Sequence, residues 1–194
     1  MRGLLLTTLL LSTGLCSAKK MQMAIESVIL SADLIVIGEI KSDGVGSYVF
    51  GIQETLYGDS SLQTVRVHKW KEWTCDPRGS EIRKGQQLVL LLGKGTSGYY
   101  PINDSTGEIP LRQDTVPSGN GFYEVLPHAA HIKEFGEAVR ALRMCCHITE
   151  TNNDFGFFYK WAWECSPEQR SARTSKNELT AWLFERMERR EKKQ

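Results

Sequence analysis

Between Ser31 and Leu92 the apolar residues fall in short runs broken by Gly, Asp and Ser. That punctuation predicts closely spaced strands at Asp33 to Ile40, Tyr48 to Leu56, Leu62 to Trp70 and Gln87 to Leu92. The spacing is that of a small barrel. Leu34 to Ile37 are apolar at successive positions, as a central strand covered on both faces requires, and Gly38 marks a bend or a close backbone approach. Tyr48, Phe50, Ile52 and Leu56 are expected on one face of the next strand, with Gln53 and Thr55 on the other. Val65 and Val67 alternate with Thr64, Arg66 and His68, so one face of this sheet is expected to be wet. The glycines between Gly93 and Gly98 make a hairpin tip before a strand at Tyr99 to Ile102. Glu108 to Leu111 and Phe122 to Leu126 are further extended pieces, separated by the loop Pro117 to Gly121.

Elsewhere the period lengthens. Ile25, Val28 and Ile29 predict a short helix over Met21 to Leu30. Ile132, Phe135, Val139, Leu142 and Cys146 form one stripe of a long helix from Pro127 to His147, with Lys133, Glu137 and Arg140 off it. Such a helix packs on the barrel by one face, and Gly136 on the stripe points to close approach of helix and sheet. Phe155, Phe157, Phe158, Tyr159, Trp161 and Trp163 then crowd together, alternating from 157 to 163 as in a strand, with a helix as the alternative. Ser166 with Gln169, and Ser175 with Glu178, have the form of helix starts. The last helix is expected to bury Leu179, Trp182, Leu183 and Met187 and to fray from Glu188 to Gln194. The chain is therefore expected to be α+β: a small barrel over residues 19–126, then a helical and aromatic subregion over 127–194 packed on it.

Residues 1–18 change the setting of that fold. Arg2, the apolar run Leu4 to Leu15 and the small end Cys16-Ser17-Ala18 have the layout of a secretory signal peptide, so the mature chain is expected to be exported. Cys16 as a lipidation site is the weaker alternative, because Leu15 and Thr13 stand where a small and an aliphatic residue are wanted, and intact mass of the exported protein decides it. No later segment is apolar enough to span a membrane. Without Cys16 there remain Cys75, Cys145, Cys146 and Cys165 in a compartment that permits disulfides. Cys145 and Cys146, being adjacent, are expected to reach separately to Cys75 and Cys165 in either order, the alternative being buried thiols.

The segments Ala32 to Gly38, Glu54 to Gly58, Cys75 to Arg78, Gly85 to Leu92 and Gly107 to Leu111 together resemble a group of uncharacterised exported bacterial proteins. Those are similar in outline to the OB-fold barrel of tissue inhibitors of metalloproteinases and netrin-like modules, over roughly the first two thirds of the mature chain. The resemblance implies an OB-like barrel. It does not carry the inhibitors' chemistry, which needs an N-terminal cysteine on the target's zinc, whereas Lys19-Lys20-Met21 begins the expected mature chain.

Charge and motifs exclude more than they assign. Lys and Arg number 24 against 23 Asp and Glu, so neither a polyanion nor an anionic membrane surface is the expected partner. OB barrels often bind single-stranded nucleic acid through aromatic and basic residues, but near-neutral charge and export argue against that partner here. No Gly-x-Ser-x-Gly or His-Glu-x-x-His is present, and the Gly93 to Gly98 tip lacks the order of a phosphate-binding loop. His128 and His131 have a spacing that can share a metal, without a visible third ligand, and a solvated helix start is the blander account. Cys146-His147 is not read as a thiol nucleophile and base, since neighbours on a helix point about 100° apart. Glu108 and Asp114 could approach across an edge, though solvated carboxylates explain them as well. Asn103-Asp104-Ser105 matches a glycosylation triplet by chance. No catalytic residue, cofactor or metal is therefore assigned. Non-catalytic binding of a protein or envelope partner is the expected function, ahead of hydrolase inhibition through the Trp70 to Arg83 loop and of an unrecognised enzyme. The candidate contact residues are Trp70, Trp73, Arg78, Phe157, Tyr159, Trp161 and Trp163.

Overall fold

Successive apolar residues of the central strand enter two different cores. In the computed structural model, which describes residues 23–72, 76, 78, 81–120, 123–124, 126–151 and 159–191, strand β1 is Leu34–Asp43. Its Leu34, Val36 and Ile40 point into a barrel lumen with Tyr48 and Phe50, while Ile35 and Ile37 point outward beneath helices. β4 (Gln87–Lys94) lies antiparallel to β1 and divides likewise, Leu88, Leu90 and Leu92 inward and Val89 and Leu91 outward. Burial on both faces is why these two strands are apolar throughout.

β2 (Ser47–Tyr57), β3 (Thr64–His68) and β5 (Tyr99–Pro101) complete the barrel, closed in the order β1-β2-β3-β5-β4-β1. All contacts in it are antiparallel except one parallel bridge, Val67 to Tyr99. β6 (Glu108–Pro110) continues the β5 side along β4 after a 3-10 turn at Asp104–Thr106. Gly38 is required where β1 meets β2, since a Cβ there would lie 2.0 Å from the Gly51 carbonyl oxygen. β2 also corrects the expected face pattern. Ile37 is opposite Glu54 but Gly38 is opposite Ile52, so Gln53 is an extra residue; Val36 is opposite Thr55 and Ile35 opposite Tyr57, so Leu56 is a second one, and it lies in the outer core, not the lumen.

The outer core lies under three helices: α1 (Ile25–Ser31), α2 (Ile132–Cys145) and a later helix at Glu178–Glu191. Val28 and Ile29, then Phe135, Val139 and Leu142, then Leu183, Phe184 and Met187 cover the outward strand residues. Side chains of this kind contribute about 1.5–3 kcal/mol each on full burial. Gly136 does mark a close crossing, because its Cβ would sit 3.1 Å from Leu56 Cδ2.

α2 is shorter at both ends than the apolar stripe suggests. Ala130–His131 (β10) pairs instead with Thr115–Val116 (β7), and the His131 side chain caps the helix by accepting from the Lys133 N–H. Cys146 is not on the helix but opens β11 (Cys146–Thr151), which pairs with β12 (Tyr159–Trp163). The aromatic run is thus a strand where it is described. Between β7 and β10, Gly119–Asn120 (β8) pairs antiparallel with Tyr123–Glu124 (β9). α3 (Pro167–Thr174) starts with the expected capping box of Ser166 and Gln169. α4 (Glu178–Glu191) does not start from Ser175: Asn177 Oδ1 accepts from the Thr180 N–H, and Ser175 ends α3 by donating to the Ala172 carbonyl. Trp182 is only partly buried, and Phe184 takes the core position. Among the described residues no helix is long and apolar enough to cross a membrane.

Candidate functional site

Two places hold side chains that sequence reasoning singled out, and a third emerges only from the fold. The first lies beside β6, where Asp76 and Arg78, from the connection after β3, are placed. Tyr48 on β2 donates its hydroxyl to Glu108 Oε2 at 2.8 Å, and Arg78 Nε donates to Glu108 Oε1 at 2.7 Å. The Arg78 guanidinium stacks 4.4 Å from the Trp70 ring centre, and its Nη1 reaches Glu72 at 3.3 Å. Asp76, also buried, accepts from the backbone N–H and the hydroxyl of Ser105. Arg78 and Asp76 are therefore held in place by charged hydrogen bonds. Cys75 and Trp73 lie outside the described residues.

Arg78 is consequently less a surface residue than the sequence implied, with 9% of its side chain exposed. Burial, and then the neighbouring Glu108 carboxylate, push the Tyr48 phenol well above its ordinary range. Trp70 Nε1 and Arg78 Nη2 are buried and have no hydrogen-bond acceptor among the described residues.

The second place is the margin of the outer core, where α2, β12 and α4 meet. Cys145 and Cys165 form a disulfide there, joining the end of α2 to the second residue after β12. Cys146 is a buried free thiol, so the expected bridge from it is not made, and burial pushes its pKa up to about 12. His147 turns outward to Glu164, Nδ1 to Oε1 2.8 Å, because neighbours on a strand face opposite sides. A thiol in the core and an imidazole in solvent cannot act as nucleophile and base.

Trp163 meets Phe184 edge to face, carries Arg170 over its ring at 4.5 Å and donates from Nε1 to Glu191. Trp161 and Trp163 are half-buried against the outer core, so these two aromatics brace the C-terminal subregion. Phe157 lies outside the described residues, and of Tyr159 only the backbone is described. Reducing Cys145–Cys165, which closes a separation of 20 residues, is expected to lower stability by about 3 kcal/mol. Urea unfolding with and without reductant measures it, and unchanged midpoints would contradict it.

His128 and His131 are not one helical turn apart, since both precede α2. His128 Nε2 lies 3.5 Å from Glu134 Oε1, and His131 is occupied as the cap. Among the described residues no cluster of three or more His, Cys, Asp or Glu side chains could hold a metal. Glu108 is bound by Tyr48 and Arg78, while Asp114, in a left-handed turn, accepts from the Ile132 N–H through its carbonyl. Asn103, first residue of the glycosylation triplet, precedes the 3-10 turn and accepts through Oδ1 from the Thr106 hydroxyl and from the Met23 N–H.

The third place escaped sequence reasoning. Where the helical layer ends, the outer wall of β4 and β5 re-emerges as a groove of about 620 Å³ between Leu30, Asp33, Gly93, Tyr100, Asp104 and Ile148. Tyr100 is 48% exposed, and its ring lies flat over Gly93, within 2.9 Å of where a Cβ would stand. Asp33 is fixed at the rim by accepting from the Lys94 N–H at 2.7 Å. The sequence held one signal for this groove: a glycine and a tyrosine on facing strands leave room for an aromatic ring to lie along the sheet.

Fold and site together define an α+β protein built on a small closed five-strand barrel. No family model, no curated protein and no solved structure matches the chain.

Proposed function

We propose that this is an exported, non-catalytic binding protein that recognises a protein or cell-envelope partner through the Tyr100 groove. The observation that carries this reading is the contrast between Tyr100 and the other chemistry-bearing side chains. Glu108, Arg78 and Tyr48 are held in internal ties and Cys146 is a buried thiol, whereas Tyr100 offers an open aromatic face beside a groove. Partly exposed tyrosines are favoured contact residues, because a rigid ring buries much area at little entropic cost. Export is supported by the signal-like residues 1–18 and by the Cys145–Cys165 disulfide. Kinship in outline with the inhibitor and netrin-like barrels is part of the same proposal and rests on the segments quoted above.

The test is capture from an extract of the native envelope. Immobilised full-length protein is expected to retain a stoichiometric partner, and Tyr100→Ala to lose it. Turnover of a substrate by the purified protein would replace binding with catalysis. Hydrolase inhibition is a second reading, favoured by the firm anchoring of the Trp70 to Arg83 connection through Arg78–Glu108 and Asp76–Ser105. It predicts capture of a hydrolase whose activity falls on binding, independent of Tyr100.

A further inference from the structure

The start of α2 is closed by a group whose protonation decides whether it can act. His131 Nδ1 accepts from the Lys133 N–H at 3.2 Å. An imidazole nitrogen accepts only while it carries no proton, so the capping ring is neutral and its proton sits on Nε2. Protonated, the same nitrogen is a donor facing a donor, and the new charge stands at the positive end of a 14-residue helix. Histidine is the side chain that gains its charge between about pH 8 and pH 5, whereas the usual caps, Ser, Thr, Asn and Asp, do not change theirs in that range.

What the cap holds reaches beyond its own helix. His131 ends the pairing of β10 with β7, and the next N–H, of Ile132, donates to the Asp114 carbonyl. In the first turn the Glu134 carbonyl accepts from Asn177 Nδ2 at 3.0 Å, while Asn177 Oδ1 caps α4. One asparagine thus ties the start of α4 to the turn that His131 holds. The ring borders a groove of about 370 Å³ whose charged walls are mixed. Glu134 and Glu137 of α2 and Glu178 of α4 attract an imidazolium, and Lys133 and Lys176 repel it. Arg112, bridged to Thr115 opposite His131, and Asp114 bring one charge of each sign from the β7 side. His128 responds in the opposite sense, because a proton strengthens its pairing with Glu134, but both of those side chains are partly exposed and the pair contributes little.

We propose that His131 is an acid-sensitive latch. Neutral, it holds the first turn of α2 and, through Asn177, the attachment of α4. Protonated, it releases the Lys133 N–H and turns towards the groove carboxylates, and the junction of the two helices loosens.

NMR of the full-length protein between about pH 8 and pH 5 tests this. Nitrogen shifts of the ring are expected to place the proton on Nε2 at the upper end, and the Lys133 amide and the Asn177 side-chain amide to move together with protonation of His131. His131→Asn supplies an acceptor that does not titrate, so its Lys133 amide should stay fixed over the range. The folding constant of the unaltered protein, from urea unfolding, should fall about fivefold further on acidification than that of His131→Asn. His131→Ala should lie about fivefold below the unaltered protein at the upper pH and level with it at the lower. His128→Gln should leave the Lys133 response in place, which separates the two histidines. A proton on Nδ1 at the upper pH, a Lys133 amide that ignores His131, or equal acid dependence of the unaltered protein and His131→Asn would overturn the proposal; the first two need no variant.

Discussion

Glu108→Ala is expected to lower stability by about 3–5 kcal/mol, because it strands a guanidinium that is almost wholly inside the protein. Arg78 has 9% of its side chain exposed, and its remaining partner, Glu72, is half in solvent and 3.3 Å away. The same substitution leaves the Tyr48 hydroxyl without its acceptor. Tyr48→Phe removes one hydrogen bond to a charged group and should cost less, about 1.5–3 kcal/mol. Urea midpoints of the two variants give the ordering, and a Glu108→Ala loss no larger than that of Tyr48→Phe would show that Arg78 escapes to water. Alkali supplies a second readout. The folded phenol titrates well above its ordinary 10.0, so the stability it contributes is fully present below about pH 10 and is lost as pH rises towards the folded value. Glu108→Gln removes one cause of the shift, the neighbouring carboxylate, and should soften that alkaline loss.

Replacing both Arg186 and Arg190 by methionine is expected to destabilise the protein by about 3–5 kcal/mol, and Glu26→Gln by much less. Glu26 is 0% exposed, accepts from Arg186 Nε at 3.1–3.2 Å and is ion-paired with Arg190, Nε to Oε1 3.1 Å. Removing the arginines leaves a carboxylate in the core with no charge to balance it. Removing the carboxylate leaves two arginines whose side chains are 34% and 41% exposed and can turn to water, with Arg186 also stacked on Trp182. Thermal unfolding of the two variants measures the asymmetry. Equal losses would mean that the buried carboxylate is not the element at stake.

Features written in adjacent residues were legible in the sequence. The unbroken apolar run at Leu34 to Ile37 reads as a central strand because each residue fills one of two cores. The Ser166–Gln169 capping box, Gly136 at the helix crossing and the alternation through Trp163 are likewise local. Features that depend on distant partners were not legible. Glu26 and Glu108 look like ordinary acids until an arginine 160 residues away, or one beyond the end of β3, is placed beside them. The extra residues Gln53 and Leu56 have no local mark, so Leu56 could not be assigned its face. Ser175 and Asn177 are both sound helix caps, and only the end of α3 decides between them. Of the candidate site, the segment after β3 was visible as a long connection, but the groove exists only once β4, β5 and α1 are brought together.

The tie between Glu26 and the last helix also governs how the protein can be made. α1 is synthesised early, yet its carboxylate has no counter-charge until Arg186 and Arg190 of α4 have emerged. The lumen can close on strands that are already complete, because its contacts end with β5. The outer layer has to wait for nearly the whole chain. Assembly is therefore expected in two stages, barrel first and helical cover last, with the slow stage set by a contact of very long sequence separation. During that interval the outward Ile35, Ile37, Val89 and Leu91 stand uncovered, and a nascent chain halted before α4 would be the aggregation-prone form of this protein.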